Sequence, residues 1–344
     1  MNPDGTPLVT AVIPVYNHEK YVIESIRSIV GQSYDNIELI VINDGSTDHS
    51  HELILTIVEE CKQRCRRFEY INRDNIGLSA TLNQALDMAK GKYFSPLASD
   101  DIAIPEKFSV LIEALELTDE TYAAAFGNAL LIDEHTNRIW LTYGGLVSKV
   151  GASDAYDNYL DFRTGGGKIH NYRSDDFSSY RSLLSHNCLP AMSTMIKTDL
   201  IRQVGAWTVG NASEDWEMWR KLSKRHNLLY IDKPLALYRW HDSNSVKVMN
   251  DKLGLDDVLN LMKEKQYCAS HGLISFWRVE YAGRLLSVLA DERIPLIRKL
   301  SLLDLSEISR PSFCWHSAKR LVRKILRFAI RKSRMSIGPC FRSE

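Results

Sequence analysis

Residues 91–101 read Gly-Lys-Tyr-Phe-Ser-Pro-Leu-Ala-Ser-Asp-Asp, an apolar run bounded by glycine on one side and by carboxylates on the other. This pattern is typical of a short buried strand. Adjacent carboxylates at the end of a strand repel each other and cost desolvation energy, so a fold that keeps them there usually gives them a cation. Carboxylate oxygens suit Mg²⁺ or Mn²⁺, which proteins typically bind through one or two carboxylates and the phosphates of a substrate. The stretch therefore predicts a metal and diphosphate site at Asp100 and Asp101, unless the two residues only cap the helix predicted after Ile104.

The chain before residue 91 alternates between strand and helix patterns. Runs of β-branched residues predict strands, and apolar residues at a period of 3.6 predict helices. The predicted strands cover residues 8–17, 37–42 and 67–71, and the predicted helices cover residues 18–30, 50–60 and a segment that contains Leu82 and Ala89. This alternation predicts an α/β fold with a mostly parallel sheet and right-handed crossovers. Because parallel strands end at one edge of a sheet, Asp44 and Asp101 are expected in one crevice.

Asp44 lies in the loop Asn43-Asp44-Gly45-Ser46-Thr47-Asp48, directly after the second predicted strand. No Gly-x-Gly-x-x-Gly or Gly-Lys-Ser/Thr pattern accompanies the strands, which argues against a dinucleotide oxidoreductase and a P-loop NTPase. Asp44 can instead accept hydrogen bonds from a base N–H or a ribose hydroxyl, while a metal at Asp101 neutralises a diphosphate. For Asp44 alone, a turn residue before Gly45 is an equally good interpretation.

The composition indicates an ordinary globular protein without a preference for nucleic acid. Lysine and arginine together number 43, as do aspartate and glutamate, so no overall charge attracts nucleic acid. The 344 residues contain no run of eighteen apolar residues, and residues 1–5 lack the pattern of a signal peptide, so a cytoplasmic protein is expected. The six cysteines are scattered along the chain, which favours reduced thiols over a disulfide framework or a zinc site.

Five ordered motifs resemble glycosyltransferase family 2, over roughly residues 7–245. They are Pro14-Val15-Tyr16-Asn17, Asn43-Asp44-Gly45-Ser46-Thr47-Asp48, Asn75-x-Gly77-Leu78-Ser79 with Asn83, Gly91-Lys92-Tyr93 and Ser99-Asp100-Asp101. The resemblance implies a Rossmann-like fold of the A type, called GT-A, which is α/β with a mostly parallel central sheet. It also implies transfer of a sugar from a nucleoside-diphosphate sugar.

The same resemblance implies roles for individual residues. It implies that Asp44 contacts the nucleoside, that Asp101 ligates Mn²⁺ or Mg²⁺, and that Asp100 lies near the donor ribose or sugar. The matched motifs also assign donor binding to Pro14, Tyr16, Asn17, Asn75 and Gly77. The family's acidic motif often begins with Asp, and here Ser99 occupies that position, so no carboxylate ligand is expected from it.

The segment around Asp215 contains a candidate catalytic carboxylate. Ser213 can cap a helix whose first turn holds Glu214 and Asp215, a favourable place for negative charge. A carboxylate on a helix start near the diphosphate can also serve as a general base, because a neutral alcohol is a poor nucleophile. By resemblance to the family's Glu-Asp motif, Asp215 is that base, and attack opposite the leaving diphosphate inverts the anomeric carbon. No Ser-His-Asp or Cys-His arrangement indicates a covalent nucleophile.

Two further segments border the predicted site. Residues 141–187 are irregular and rich in Gly, Tyr, Asp and Arg, which is typical of either an acceptor-binding lid or surface decoration. This region varies with the acceptor in the resembled family, which favours the lid. Residues 234–245 resemble the family's Tyr-Arg-x-His stretch, in which His241 would lie beside the metal or the leaving phosphate. A structural histidine is the alternative.

The sequence changes character after residue 250. We expect a GT-A catalytic domain over residues 1–250 and a helical C-terminal extension over residues 251–344. Residues 319–334 contain eight basic and no acidic side chains. On a helical wheel, all the basic residues except Lys332 lie on one face, and the opposite face holds Leu321, Val322, Ile325, Leu326, Phe328 and Ala329. This pattern predicts a helix on an anionic membrane surface, with a solvated tail or a nucleic-acid arm as the alternative.

These features predict an inverting, metal-dependent glycosyltransferase on the inner face of the cell membrane. The donor is expected to be a UDP-sugar carrying a hexose or an N-acetylhexosamine, and the acceptor a hydroxyl of a glycan or lipid-linked molecule, as in cell-surface polysaccharide synthesis. A nucleotidylyltransferase would normally need a basic Gly-rich loop near the N-terminus, which is absent. The alternative from another class is a non-catalytic sugar-nucleotide or glycan-binding scaffold at the membrane, which the joint presence of Asp101, Asp215 and His241 disfavours.

Overall fold

The structure is a computed structural model that describes residues 5–148, 150–168, 171–174, 176–291, 293–295, 298–299 and 301–308. The chain divides into two compact units between Asn244 and Ser245. Every residue to which the sequence assigns a role in donor binding, metal binding or base catalysis lies in the first unit.

The first unit is built on a mixed sheet. Its strands are β1 (Val9–Val15), β2 (Ile37–Asp44), β3 (Arg67–Arg73), β4 (Tyr93–Pro96), β5 (Ile102–Ala103), β6 (Tyr122–Ile132), β7 (Trp140–Thr142), β8 (Val147–Ser148), β9 (Ala155–Tyr156), β10 (Thr194–Lys197) and β11 (Asn227–Arg239). Eight of them form one sheet in the order β3-β2-β1-β4-β10-β6-β11-β5. The neighbouring pairs β3-β2, β2-β1 and β1-β4 are parallel, and β10 is antiparallel to both of its neighbours, β4 and β6. The predicted parallel α/β sheet is thus confirmed for its first four strands, and the strand direction first reverses at β10.

Helices cover both faces of this sheet. They are α1 (Val22–Val30), α2 (Ser50–Leu55), α3 (Val58–Arg64), α4 (Leu78–Met88), α5 (Lys107–Glu116), α6 (Tyr159–Thr164), α7 (Tyr180–Ser185), α8 (Thr198–Val204) and α9 (Glu214–Ser223). Apolar residues of α1, α3 and α5 pack in one core with Val9, Ala11 and Ile13, whereas those of α4, α8 and α9 pack in a second core with Val12. Because both faces are covered, β1 and β2 need the nearly continuous apolar sequence from which they were predicted.

Two predicted helices have different bounds in the structure. The helix predicted from residue 18 begins only at Val22, so that His18 belongs to the loop after β1. The helix predicted over residues 50–60 is divided into α2 and α3. The first difference matters for function, because it leaves His18 at the edge of the sheet where the predicted donor residues lie.

The segment of residues 141–187 contains short elements. The strands β7, β8 and β9 form a small antiparallel sheet in the order β8-β7-β9. The helix α6 begins after Asn158, whose side chain accepts a hydrogen bond from the Asp161 N–H and caps it. A 3₁₀ turn at Ala191–Ser193 directly precedes β10.

The second unit is helical in its described part. It contains α10 (Ser245–Val248), α11 (Asn250–Ser270), α12 (Ile274–Leu289) and α13 (Leu305–Ile308). Trp277 and Tyr281 stack at 4.9 Å between ring centroids, and their polar atoms donate to the carbonyls of Leu261 and Leu302. The basic segment 319–334 lies outside the described residues. Within the described part of the chain, no helix has the length and apolarity needed to cross a membrane.

The cysteines at positions 61, 65, 188 and 268 are buried and form no disulfide. Burial raises the pKa of Cys61 to about 12, and that of Cys188 to about 11. Such thiols are inert at neutral pH, because the thiolate is the reactive and metal-binding form.

Candidate active site

The loops after β1 and β2 are joined by side-chain hydrogen bonds. Asn17 has a left-handed backbone conformation, with φ at 55°, which asparagine tolerates better than most residues. Its Oδ1 accepts the Thr47 N–H at 2.8 Å, and its own N–H donates to Ser46 Oγ at 2.9 Å. The predicted donor residue Asn17 is thereby fixed against the loop that follows Asp44.

Asp44 fixes a third loop, the one after β3. Its carboxylate accepts the N–H groups of Ile76 and Gly77 at 2.8 and 3.0 Å, and it also pairs with the Arg73 guanidinium. A carboxylate offers about four lone-pair positions, so these contacts leave about one for a ligand. The assignment of Asp44 to the nucleoside stays a prediction.

Gly45 and Asn75 lie where the loop after β2 contacts the loop after β3. A Cβ atom at Gly45 would lie 2.5 Å from the Asn75 backbone nitrogen, and the φ of Gly45 is +71°. Only glycine meets both conditions without strain. The structure therefore brings the predicted donor residues Asn17, Asp44, Asn75 and Gly77 together at one edge of the sheet.

A cluster of His18, Asp100 and His241 lies at the same edge. The Nε2 atom of His241 is 2.9 Å from Asp100 Oδ2, and the Nε2 atom of His18 is 3.8 Å from the same oxygen. One ligand atom from each residue lies within 4.8 Å of the other two. His18 is not among the residues assigned a function from sequence, although its position directly after the motif that ends in Asn17 is a signal for one.

Two serine hydroxyls orient the imidazole rings of the cluster. Ser99 Oγ lies 2.7 Å from His18 Nδ1, and Ser243 Oγ lies 2.8 Å from His241 Nδ1. Each hydroxyl forms a hydrogen bond with Nδ1, the ring nitrogen that does not face Asp100. Such outer contacts typically orient histidine ligands in metal sites, since they fix the tautomer and leave the second nitrogen for the metal. Ser99, which replaces the family's usual Asp, therefore has a definite contact.

Asp101 is oriented differently from Asp100. Its Oδ1 accepts the Arg239 N–H at 2.9 Å, while the Arg239 Nε donates to the Asp100 carbonyl at 2.8 Å. Arg239 is almost fully buried, and its guanidinium also pairs with Glu24. It therefore connects the loop of residues 99–101, called the acidic loop below, to α1. Of the two predicted metal ligands, the structure brings His241 into the cluster and leaves Asp101 outside it.

The two adjacent carboxylates have opposite electrostatic environments. Burial raises the pKa of Asp100, but the hydrogen bond from His241 and the charges of both histidines outweigh burial and hold the pKa below its usual range. Burial and the neighbouring Asp100 charge raise the pKa of Asp101 well above its usual range. Asp100 is thus the carboxylate of the pair that loses its proton more readily. Burial also lowers the pKa of Lys107, whose Nζ donates to the Met192 carbonyl, to about 7.

The donor set of the cluster suits a divalent cation. It offers two imidazole nitrogens and a carboxylate oxygen that already converge. Carboxylates suit Mg²⁺ and Mn²⁺, whereas imidazole suits ions such as Zn²⁺ and Ni²⁺, so a mixed set of this kind can hold a divalent cation of either group. The remaining coordination positions would be open to phosphate oxygens, as is usual for such ions.

Asp215 is the second residue of α9 and is partly exposed. Its Oδ2 accepts the Asn187 Nδ2–H at 2.9 Å, and its Oδ1 accepts the Trp216 N–H at 2.6 Å. Ser213 precedes the helix, but its side chain makes no capping hydrogen bond. Trp216 and Trp219 belong to the core rather than to an exposed acceptor surface. The carboxylate therefore stands on a rigid helix start with both oxygens oriented.

Tyr159 and Tyr238 pack against each other in the first unit. Their rings meet edge to face at 5.2 Å between centroids. Burial raises the pKa of Tyr159 to about 12, and both Asp215 and Asp101 add to the rise. Tyr159 is thus within electrostatic range of both Asp215 and Asp101.

Comparison with known proteins gives a family and a fold. The family model described as "Glycosyl transferase family 2" matches residues 10–186. The chain is 36% identical over 249 residues to an uncharacterized glycosyltransferase of Rickettsia prowazekii, an alignment that covers 72% of this chain and 69% of that protein.

Two solved structures resemble this chain. The mannosyltransferase PcManGT of Pyrobaculum calidifontis, in complex with GDP-Man and Mn²⁺, has a TM-score of 0.54 and 14% identity over 92% of this chain and 84% of its own. TarS 1-349 of S. aureus, in complex with UDP-GlcNAc, has a TM-score of 0.55 and 15% identity over 94% of this chain and 92% of its own. At these identities the likeness concerns the fold, and the prediction of a GT-A fold is confirmed.

Proposed function

Because this chain belongs to glycosyl transferase family 2 and is a glycosyltransferase, we propose that it uses a nucleoside-diphosphate sugar, most simply a UDP-sugar, as donor. The transferred group is a hexose or an N-acetylhexosamine, and the acceptor is a hydroxyl of a glycan or lipid-linked molecule, as in cell-surface polysaccharide synthesis. The observation that carries the proposal is the cluster of His18, Asp100 and His241, to which the loops after β1, β4 and β11 each contribute one residue. The nucleotide would lie along Asn17, Asp44 and Asn75.

A divalent cation, Mn²⁺ or Mg²⁺, would be held by Asp100, His241 and His18. When bound, it would neutralise charge on the departing diphosphate. Ser99 and Ser243 hold the two imidazoles in the orientation that this requires. Arg239 fixes the backbone of the acidic loop, because it donates to the Asp100 carbonyl from a buried position.

Asp215 would act as the general base. It takes the proton from the acceptor hydroxyl as the oxygen attacks the anomeric carbon from the side opposite the diphosphate. A single displacement of this kind inverts the configuration and needs no covalent enzyme intermediate. Asn187 holds Asp215 Oδ2 while one lone pair of that oxygen remains for the incoming proton.

A donor screen tests this function. Purified protein is incubated with a panel of UDP-, GDP-, CMP- and dTDP-sugars, and released nucleotide is measured with Mn²⁺, with Mg²⁺ and with EDTA. We expect release of a nucleoside diphosphate from one donor class, and loss of release in EDTA. A scaffold that binds sugar nucleotides without catalysis would bind a donor and release nothing, so the screen separates the two functions.

We also propose that residues 1–250 form the catalytic domain and that residues 251–344 add a membrane-binding extension. The basis for the extension is that seven of the eight basic residues in segment 319–334, all except Lys332, lie on the helical face opposite to most of the apolar residues. Each basic residue near an anionic surface contributes about 1 kcal/mol, and the apolar face adds burial. The protein would then act as a peripheral enzyme on the inner face of the cell membrane.

Truncation after Ser317 tests the extension. We expect the truncated protein to lose salt-sensitive co-sedimentation with anionic vesicles and to keep donor hydrolysis, because every proposed catalytic residue precedes residue 245. Full-length protein with neutral vesicles is the control. Vesicle binding that survives truncation, or that the full-length protein never shows, would mean that the segment packs against protein instead.

A further inference from the structure

We propose that Arg163 binds an anionic group of the acceptor, a carboxylate or a phosphate, beside Asp215. This inference rests on the proposed function, because it names the chemical class of acceptor for the same site. Arg163 belongs to α6, in the irregular segment of residues 141–187 for which the sequence predicted an acceptor-binding role.

Arg163 is a guanidinium without a counter-ion in contact. Its Nη2 donates to the Asn187 carbonyl at 3.2 Å, and its Nε is buried without a hydrogen-bond partner. Among the described residues, no carboxylate lies within salt-bridge distance of it. An arginine side chain carries five N–H donors and stays charged at every physiological pH. Most of its hydrogen-bonding capacity is therefore left for a ligand.

Asn187 separates Arg163 from the nearest functional carboxylate. Its backbone carbonyl accepts from Arg163, while its side-chain amide holds Asp215 Oδ2. Arg163 and Asp215 interact electrostatically without contact. If Arg163 only neutralised Asp215, a direct pair would be the expected geometry, because it would be the stronger interaction. Asn187 instead contacts both residues, so the Arg163 charge is not used up in a direct ion pair with Asp215.

The position of Arg163 points to the acceptor rather than to the donor. Its hydrogen bond connects it to Asn187 and so to the proposed base, whereas the diphosphate is assigned to the cluster at Asp100. A negatively charged acceptor would be repelled by the Asp215 carboxylate, and a cation beside it offsets that repulsion. A neutral sugar would need no such cation. Asn187 Oδ1 is a second buried atom without a partner, and it can accept from a hydroxyl next to the anionic group.

Calorimetry with small probes tests the site. Full-length protein is saturated with Mn²⁺ and with the nucleoside diphosphate that the donor screen identifies, and is titrated with D-glucuronate and sn-glycerol 3-phosphate. D-glucose and glycerol are the neutral counterparts. We expect at least one anion to bind, its affinity to fall at least tenfold in Arg163→Gln, and Arg163→Lys to retain part of it because the charge remains. The neutral probes should not distinguish the variants.

A matched arginine provides the control. Arg138 pairs with Asp157 at 2.9 Å on the surface, and Arg138→Gln should leave anion binding unchanged. Equal anion affinity in wild type and Arg163→Gln, or no anion binding in either, would overturn the proposal. So would a loss of nucleotide affinity in Arg163→Gln, because Arg163 would then belong to the diphosphate. If the wild-type protein binds neither Mn²⁺ nor any nucleotide, the proposed function itself fails, and the two failures are thereby distinguished.

Discussion

Replacing Asp100 with asparagine is expected to lower the affinity for Mn²⁺ at least about 100-fold and to abolish sugar transfer. Loss of an outer contact in a metal site typically costs about 10–100-fold in affinity, and Asp100 is the only carboxylate in direct contact with the cluster's histidines among the described residues. Asparagine keeps the size of the side chain and can still accept from His241, so the fold should persist. Mn²⁺ binding, followed by electron paramagnetic resonance, checks the first effect, and nucleotide release checks the second.

Asp101→Asn is the matched variant, because it changes the neighbouring carboxylate in the same way. We expect its Mn²⁺ affinity to fall by less than about tenfold, since an amide oxygen can still accept the Arg239 N–H. The resemblance to the family predicts the reverse order, with Asp101 as the ligand. Wild-type Mn²⁺ affinity in Asp100→Asn, together with its loss in Asp101→Asn, would establish that order and remove the cluster from the metal site.

Asp215→Asn is expected to reduce turnover by about 10²–10⁴-fold while donor affinity stays nearly unchanged, because a general base acts mainly in the transition state. The variant should fold. Its Oδ1 can keep the Trp216 N–H, and the Asn187 amide can turn so that its buried, unpartnered Oδ1 accepts from the new amide. Steady-state kinetics together with calorimetric donor binding separate the two quantities.

Asp199→Asn is the matched control for this prediction. Asp199 is also the second residue of a helix, α8, and it pairs with Arg202 on the surface away from the proposed chemistry. Its replacement should leave turnover unchanged. A loss of donor binding in Asp215→Asn with little effect on turnover would reassign Asp215 to the nucleotide site.

The sequence alone predicted the fold class and the edge of the sheet at which the candidate donor residues lie. Strands such as β2 are buried on both faces, and a local run of β-branched residues reports that directly. Parallel strands bring their carboxyl ends to one edge, so the polar loops that contain Asn17, Asp44 and Asn75 could be placed together before any coordinates. These predictions depend on the periodicity of short segments and on the order in which strands and helices follow each other along the chain.

The composition of the His18, Asp100 and His241 cluster was decided only by tertiary structure. Asp100 and His241 are 141 residues apart in the sequence, and His18 is 81 residues from Ser99, the neighbour of Asp100 that orients its ring. Asp100 and Asp101 are adjacent in sequence, and their different partners depend on where the turn after β4 directs each side chain. No local pattern encodes that direction, because it results from the buried Arg239 holding the loop backbone.

Arg163 is a second case in which only the fold decides. Its segment has no helical or strand period long enough to indicate a face, and nothing in its neighbouring residues indicates Asp215. The folded chain places a buried nitrogen of Arg163 without a partner next to the residue that orients Asp215. The free energy of a charge depends on which groups surround it in space. For that reason the sequence determined which charges this protein carries, and the tertiary structure determined which of them lack a counter-ion.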